Sequence, residues 1–263
     1  MNAEKIRQDF SRFQKRREIF WSPKINAAIQ EQIQGYIKKY GTTIQPNAII
    51  DYAPIHDVLK KLYIDAGINW GAKTSAYISA DIKIKTKARM PIGLSEFLIQ
   101  SILKYFEINL LNDVIDISET TRKDILKALT QATIDGLGYD DTIALITNKE
   151  VTKVRARLIA RTETVTAANK GAALSASQSG VEMVKEWIAA QDNRTRYDHA
   201  EVNGITINEF DNFIVGGYPM QQPGDRGGQG NRTPAKEICN CRCAVGYSAK
   251  RDSNGRLIYK PNV

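Results

Sequence analysis

The stretch VEMVKEWIAA, residues 181–190, marks the point at which the periodicity of the chain changes. Apolar and charged side chains alternate along it, with Val181, Met183 or Val184, and Trp187 on the apolar side. A period of two residues predicts a β-strand with one buried face. The preceding sequence has a helical period. The chain is therefore predicted to be an α+β protein, with a helical N-terminal region followed by a smaller mixed α+β domain.

The region before residue 180 is predicted to be helical because its apolar residues recur every three or four positions. Ser22 and Pro23 are expected to separate the first two helices, since proline suits the first turn of a new helix. Gly41 is expected to end the second. The predicted helices span about 1–20, 23–40, 54–80, 96–112, 118–135, 139–147 and 150–179.

The region after residue 190 is predicted to contain short strands and one long loop. GITIN (204–208) and RLIYK (256–260) have the length and residue types of short strands. Residues 216–234 are rich in glycine and proline, so no regular structure is expected there. A loop of this length is typical of a functional or mobile segment.

The composition favours a soluble globular protein, because hydrophobic residues make up 42% and charged residues 25% of the 263 residues. No apolar run approaches the roughly 18–20 residues that span a bilayer, so no membrane partner is expected. No signal peptide is recognised at the N-terminus. Folding in a reducing cytoplasm is therefore expected, where disulfides are uncommon.

The net charge of +8 has two interpretations, a partner that is a polyanion or a solvated basic surface. The basic residues concentrate in RFQKRR (12–17), IKIKTKAR (82–89) and KVRARLIAR (153–161). No helix-turn-helix or zinc-finger pattern accompanies them. Contact with double-stranded DNA would therefore use phosphates and not read bases.

Three short segments concentrate residues that carry chemistry. ARTETV (160–165) holds Arg161 and Glu163, which are two positions apart and so lie on different helix faces. DNRTRYDH (192–199) follows the predicted strand and holds one of the two histidines of the chain, His199. EICNCRC (237–243) holds all three cysteines, at alternate positions.

The cysteines are candidate metal ligands, disulfide partners or packing residues. In an extended strand Cys239, Cys241 and Cys243 would share a face, with neighbours roughly 6.5–7 Å apart. That separation is too long for a disulfide without a bend. Cys-x-Cys is also a weaker zinc signal than Cys-x-x-Cys, and His199 is the one histidine nearby in sequence.

Taken in order, IARTETVTAANKGA, VKEWIAAQDNRTRYDHAEVNG, a Pro/Gly-rich stretch and EICNCRC resemble the phage Mu protein F-like family of phage head morphogenesis proteins. The resemblance covers about residues 118–247. It implies a Mu F-like domain over 118–250, preceded by a helical region of unassigned role over 1–117 and followed by a C-terminal tail over 251–263. The positions that match the family pattern are Arg161, Thr162, Glu163, Trp187, Asp192, Arg194, Arg196, His199, Gly204, Glu237, Asn240, Cys241, Arg242 and Cys243.

The resemblance implies a minor head protein of a tailed phage, with no catalytic residues. It would act in head morphogenesis and in DNA packaging or delivery. Its expected partners are the portal protein, the major capsid or scaffolding protein, and packaged double-stranded DNA held by non-specific phosphate contacts. Its expected location is the capsid interior or portal vertex of the virion, and the host cytoplasm during assembly.

Two other functions remain open. Members of the family can be fused to toxin or ADP-ribosyltransferase domains, which makes an effector enzyme one alternative. The chain continues for only about 20 residues after NCRC, so no C-terminal effector domain is expected. A non-specific DNA-binding protein is the other alternative.

The matched positions are expected to meet in one polar cluster, since buried charges must be paired and hydrogen-bonded. In the family pattern an apolar residue usually precedes Asn-Cys-Arg-Cys, so Cys239 is interpreted as a small buried apolar residue. Two forms of the cluster remain open. One is a salt-bridged cluster with two free thiols, and the other is a zinc ion held by His199, Cys241, Cys243 and an unnamed fourth ligand.

Overall fold

The computed structural model describes residues 2–82, 92–228 and 231–261. Most of the predicted basic cluster 82–89 therefore lies outside the described residues. The helices are α1 Ala3–Tyr40, α2 Ala53–Asp81, α3 Ile92–Asn109, α4 Leu111–Ile134, α5 Tyr139–Ile146, α6 Lys149–Ser177, α7 Tyr197–Glu201 and α8 Ala235–Ile238. The strands are β1 Met183–Ile188, β2 Thr206–Asn208, β3 Phe213–Val215, β4 Tyr218–Met220, β5 Gly227–Gly228, β6 Asn231–Arg232 and β7 Ala244–Ala249.

This element order confirms the predicted α+β class. Long helices precede residue 180, and short strands follow it. None of the helices within the described ranges has the length and apolar character that a membrane span requires.

The predicted helix break at Ser22 and Pro23 is wrong, because α1 runs through both residues. Proline inside a helix removes one backbone hydrogen bond and costs about 3 kcal/mol. Trp21 and Ile25 are buried on either side of the proline, and their burial offsets that cost. The Lys24 ammonium also donates a hydrogen bond of 3.2 Å to the carbonyl of Phe20.

The predicted start of a helix at Ser118 is also wrong, since α4 begins at Leu111. Ser118 is fully buried inside α4 and accepts a hydrogen bond of 2.7 Å from the Gln32 side chain. Its hydroxyl is therefore used in packing and not as a helix cap.

The chain divides into two compact units. The first consists of Met1–Glu18, Leu62–Lys104 and Arg161–Val263. The second consists of Ile19–Lys61 and Tyr105–Ala160.

The first unit is built around a three-stranded antiparallel sheet with the order β2-β1-β7. Met183 and Trp187 of β1 belong to the same buried core as small and branched residues of α6. Those residues recur at helical spacing and are Val165, Ala168, Ala172 and Ala176.

Lys185 points to the buried face of β1 and is 1% exposed. Its ammonium donates hydrogen bonds of 2.9 Å to the backbone and side-chain oxygens of Gln221. Desolvation lowers the pKa of Lys185 to about 8. The alternation that predicted the strand is therefore confirmed, although one inward position carries a charge.

Asn169 joins α6 to the end of the sheet. Its side-chain NH₂ donates to the carbonyls of Pro223 and Cys243 at 3.1 Å, and its oxygen accepts from the backbone N–H of Val245 at 2.9 Å. Asn169 is fully buried, so these bonds fix the segment around Cys243 against the helix.

The glycine- and proline-rich segment was expected to lack regular structure, and this expectation is wrong for the part of it that forms short strands. β4 pairs with β3, and β5 pairs with β6. Gly224, at φ +81°, packs so closely on α6 that a Cβ atom would lie 2.7 Å from Thr166 Oγ1. The carbonyl of Gly224 accepts a 3.1 Å hydrogen bond from that hydroxyl. Glycine here permits close approach and not mobility.

The predicted strand RLIYK is reduced to isolated bridges, Arg251 with Leu257 and Val181 with Tyr259. The backbone of this segment changes partner along its length. Ile258 donates to Lys250, and Lys260 donates to Gly180. A continuous ladder needs one partner strand, so none forms.

The second unit is all helical in its described residues. Gln32 of α1 donates to the Asp51 carbonyl at 2.6 Å and to Ser118 at 2.7 Å. The guanidinium of Arg155 on α6 donates to Thr121 Oγ1 and to the carbonyl of Ile117 on α4. These contacts, one of them buried and the others partly buried, hold the helices of the unit in place.

Candidate metal centre

His199 lies on α7 and is 1% exposed. The edge of its ring packs against Trp187 of β1, with the ring centroids 5.4 Å apart. Its Nε2 lies 3.2 Å from a carboxylate oxygen of Glu237 on α8. Its Nδ1 lies 3.5 Å from Cys243 Sγ and 3.6 Å from Cys241 Sγ. The imidazole thus faces a carboxylate on one side and two thiols on the other.

Cys241 and Cys243 are both 2% exposed. The three cysteines do not lie on one extended strand, because the chain turns at Asn240, where φ is +62°. Asparagine tolerates this left-handed conformation better than most residues. β7 begins only at Ala244. The turn separates Cys239 from the other two cysteines and leaves it half-buried, where full burial was expected.

The four side chains of His199, Glu237, Cys241 and Cys243 form what we call the cysteine–histidine cluster. The candidate ligand atoms of His199, Cys241 and Cys243 lie within 4.8 Å of one another. Two ligands of a tetrahedral zinc ion, one nitrogen and one sulfur, lie about 3.5 Å apart given Zn–N and Zn–S bonds of about 2.0 and 2.3 Å. The nitrogen–sulfur distances here are 3.5 and 3.6 Å.

A small cavity of about 10 Å³ is bounded by the cluster's three candidate ligands and their neighbours. A space of this size holds one water molecule or one ion and no organic substrate. Imidazole and thiolate are also the ligand types that zinc prefers. The residues therefore fit a zinc ion in donor type, in spacing and in room.

The two thiols differ in acidity. A hydrogen bond from the Cys241 thiol holds the pKa of Cys243 below its usual value, and contact with His199 acts in the same direction. The same thiol–thiol hydrogen bond, together with burial, raises the pKa of Cys241. Cys243 is thus the sulfur that forms a thiolate first, which is the form that binds metal.

Arginines surround the outer side of the turn. Arg242 forms a bidentate ion pair with Asp192, with one nitrogen–oxygen distance of 2.7 Å. This pairing lowers the pKa of Asp192 and raises the pKa of Arg242. Arg196 donates a hydrogen bond to the carbonyl of Cys239. The guanidinium of Arg194 is mostly exposed and approaches Asp192 only to 3.9 Å, whereas the backbone N–H of Arg194 donates a 2.9 Å hydrogen bond to that carboxylate.

On α6, Arg161 reaches the same turn. Its guanidinium donates two 2.8 Å hydrogen bonds to the carboxylate of Glu18 and a further one to the side-chain oxygen of Asn240. The hydroxyl of Thr162 accepts a 2.9 Å hydrogen bond from the backbone N–H of Asn240. α6 therefore holds the left-handed turn from two consecutive positions.

Glu163 faces away from this turn. Its carboxylate accepts a 2.8 Å hydrogen bond from the hydroxyl of Tyr63 and bonds of 2.7 and 2.9 Å from the guanidinium of Arg226. We call Tyr63, Glu163 and Arg226 the Glu163 cluster. Arg161 and Glu163 lie on different faces of α6 and therefore bind different partners.

The predicted site residues therefore occupy several environments. Around the cysteines the structure brings together Arg161, Trp187, Asp192, Arg196, His199, Glu237, Asn240, Cys241, Arg242 and Cys243. Glu163 joins a separate cluster, and Arg194 lies at the exposed margin.

Sequence reasoning missed Asn169, Glu18, Tyr63 and Arg226 as partners of these residues. Asn169 lies seven positions after Thr162, a spacing of about two helical turns that places both on one face of the helix, so a search for polar residues at that period would have found it. Glu18 and Tyr63 lie in the N-terminal helices, at distances of 143 and 100 residues from their partners. No local pattern connects them.

Residues 123–246 match the family described as phage Mu protein F like protein. This segment carries the sequence pattern of the phage Mu protein F-like family. The resemblance inferred from the sequence motifs is thereby confirmed. The matched segment contains the whole cysteine–histidine cluster.

Minor head protein GP7 of Bacillus phage SPP1 is 28% identical to the chain over 256 residues. This similarity covers 92% of the chain and 75% of GP7. It extends beyond the Mu F-like segment into the N-terminal helices. No solved structure gives a significant match.

Proposed function

We propose that the protein is a minor head protein that acts in the morphogenesis of a phage head. The observation that carries this proposal is its similarity to SPP1 minor head protein GP7 along 92% of its length. The Mu F-like match over 123–246 also supports it. The role is structural and needs no catalytic residue.

The finer form of the proposal is association with the portal protein, and with the major capsid or scaffolding protein, inside the capsid or at the portal vertex. Assembly would take place in the host cytoplasm. The domain division into 1–117, 118–250 and 251–263 also stays a prediction, with residues 118–250 as the Mu F-like part.

The first experiment is quantitative mass spectrometry of purified DNA-filled particles and of empty procapsids from the source phage. A few copies per particle are expected in both, because a morphogenesis protein enters before DNA does. Absence from both kinds of particle would contradict the head role. Cross-linking of procapsids then tests the portal contact, for which portal peptides linked to this chain are the expected product.

Contact with packaged DNA is the second part of the proposal. A cleft of about 310 Å³ in the first unit is lined by the basic side chains of Arg12, Arg16, Arg17 and Lys73, together with Asp9. Lys73 pairs with Asp9 at 3.0 Å and Arg17 with Asp65 at 2.8 Å, while Arg16 is exposed. A cleft with excess positive charge attracts phosphates without reading bases.

The matched pair Arg16→Ala and Arg157→Ala tests this surface, since both arginines are exposed and helical. Binding of a short DNA duplex should weaken steeply with rising salt. Arg16→Ala should weaken it further and reduce the salt dependence, while Arg157→Ala should not. Equal effects of the two changes would contradict an assignment to this cleft.

The third part is that the cysteine–histidine cluster binds zinc through His199, Cys241 and Cys243. The nitrogen–sulfur distances, the ligand types and the adjacent cavity support this assignment. When bound, zinc would join α7 to the segment before β7 and stabilise the Mu F-like part.

Cys239 provides a matched control for the zinc test, because the turn at Asn240 separates it from the other two cysteines. The wild-type protein and Cys239→Ser should contain about one zinc per chain by elemental analysis, and Cys241→Ser and Cys243→Ser should contain far less. Metal-free wild-type protein after purification and zinc reconstitution would contradict this part alone, and leave the head role untouched.

A further inference from the structure

Glu237 is a buried carboxylate that the metal ligation itself does not use. Its side chain is 1% exposed, and one oxygen faces His199 Nε2 at 3.2 Å. The other oxygen lies 3.2 Å from the Lys236 ammonium, whose side chain is 65% exposed. A buried charge must be paired and hydrogen-bonded, and Glu237 meets this condition between the Lys236 ammonium and the His199 imidazole.

The surroundings hold this carboxylate in one place. Glu237 lies on α8, and its side chain approaches the backbone at Gly216, where φ is +57°. A Cβ atom at Gly216 would lie 2.9 Å from Glu237 Oε1 and 2.8 Å from Asp198 Oδ2. Glycine therefore leaves the space into which the Glu237 side chain extends.

The imidazole has two ring nitrogens, and in its neutral form only one carries a proton. A carboxylate beside Nε2 accepts a hydrogen bond and so keeps the proton there. Nδ1 is then left with a lone pair, and it is Nδ1 that lies 3.5 and 3.6 Å from the two sulfurs. The packing of Trp187 against the ring fixes the ring plane in the same orientation.

We propose that Glu237 is the positioning residue of the zinc centre, which holds His199 as the Nε2–H tautomer so that Nδ1 binds the metal. The inference rests on the proposed zinc site and adds to it a fourth side chain that does not touch the ion. Removing such a partner typically lowers metal affinity about 10- to 100-fold.

The tautomer is measurable in the wild-type protein. The chain has only two histidines, so a long-range ¹H–¹⁵N spectrum of the imidazole rings contains two sets of signals. His56 is exposed beside Asp57 and serves as the internal reference. In the zinc-loaded protein, His199 should carry its proton on Nε2 and show a metal-shifted Nδ1. A proton on Nδ1 would overturn the assignment.

Affinity provides the second measurement. Zinc binding to wild type, Glu237→Gln and Glu237→Asp is compared by competition with a chromophoric chelator under reducing conditions. Glu209→Gln is the matched control, because Glu209 is also buried in the first unit but pairs with Lys260. Circular dichroism of the metal-free forms identifies any variant that fails to fold.

Glu237→Gln is expected to weaken zinc binding about 10- to 100-fold, while Glu209→Gln should leave it near the wild-type value. Glu237→Asp keeps the charge but shortens the side chain, so a smaller loss is expected. Wild-type affinity in folded Glu237→Gln would overturn the positioning role. If neither Glu237 variant folds, the ¹H–¹⁵N spectrum of His199 in the wild-type protein tests the proposal by itself. Absence of zinc binding by the wild type would instead remove the zinc centre on which the inference rests.

Discussion

Two buried polar clusters of the first unit begin from neighbouring positions of α6 and have different compositions. Through Arg161 and Thr162 the helix supports the turn at Asn240, next to the cysteine–histidine cluster. Through Glu163 it enters the Glu163 cluster, where a carboxylate meets a guanidinium and a hydroxyl. In the Glu163 cluster opposite charges satisfy one another. The cysteine–histidine cluster instead gathers a ring nitrogen and two sulfurs around a small space, which is a set of ligand atoms for a metal ion. Similar burial thus gives an ion pair in one place and a metal-binding geometry in the other.

The largest effect is expected in the Glu163 cluster. Glu163→Gln replaces the buried carboxylate that pairs with the Arg226 guanidinium by a neutral amide, which should lower the free energy of unfolding by about 3 kcal/mol. Urea denaturation measures the change. Glu150→Gln on the same helix is the control, because Glu150 is exposed and pairs with the exposed Lys153, so no measurable change is expected. Equal effects of the two variants would remove the distinction between a buried and an exposed pair.

Removal of zinc should destabilise the cysteine–histidine cluster and leave the Glu163 cluster unchanged. Zinc at about 1,000 times its dissociation constant stabilises the folded state by about 4 kcal/mol. A chelator should therefore lower the melting temperature of zinc-loaded wild type but not that of Cys243→Ser. Because the two clusters share no side chain, zinc should stabilise Glu163→Gln as much as wild type. A much smaller zinc effect in Glu163→Gln would show that the clusters are coupled.

The smallest effect is expected from the Asp192–Arg242 pair at the margin of the cysteine–histidine cluster. Arg242 holds the pKa of Asp192 below its unfolded value, which is about 3.9. Its contribution to stability is therefore present above about pH 4 and is lost as the pH falls through the folded pKa. Asp192 is 40% exposed, so the contribution should stay below about 1 kcal/mol.

Urea midpoints of wild type and Asp192→Asn between pH 3 and pH 7 measure this pair. The difference between the two proteins should shrink as the pH falls below about 4. A difference that is constant over this range would mean that the ion pair contributes nothing.

Most helices and the main strand were predictable because they depend on local periodicity. The alternation around Trp187 and the spacing of the alanines in α6 both reflect one buried face. The errors came where tertiary packing overrides a local signal. Pro23 lies inside α1, where the burial of its neighbours offsets the lost hydrogen bond. Ser118 was expected to cap a helix, but its hydroxyl accepts a hydrogen bond from Gln32.

The candidate site was predictable in composition but not in geometry. The motif residues Cys241, Cys243 and His199 were named as candidate ligands, yet the left-handed turn at Asn240 could not be read from a Cys-x-Cys spacing. The partners of Arg161 and Glu163 on the N-terminal helices were also unpredictable. Their pairing depends on how helices distant in sequence pack, and no short motif encodes that.

Arg226 lies in a segment whose glycines and prolines would suggest an easy target for a protease. Yet its side chain is 17% exposed and tied to Glu163, and Gly224 packs directly on α6. Trypsin requires an accessible arginine and an extended, released backbone at the cut. Cleavage after Arg226 therefore requires this segment to detach from α6. The rate at which the cleaved fragment appears then reports how often the segment detaches. The glycine- and proline-rich segment is thus packed against α6, and the rate at which trypsin cleaves it measures the local unfolding of this segment.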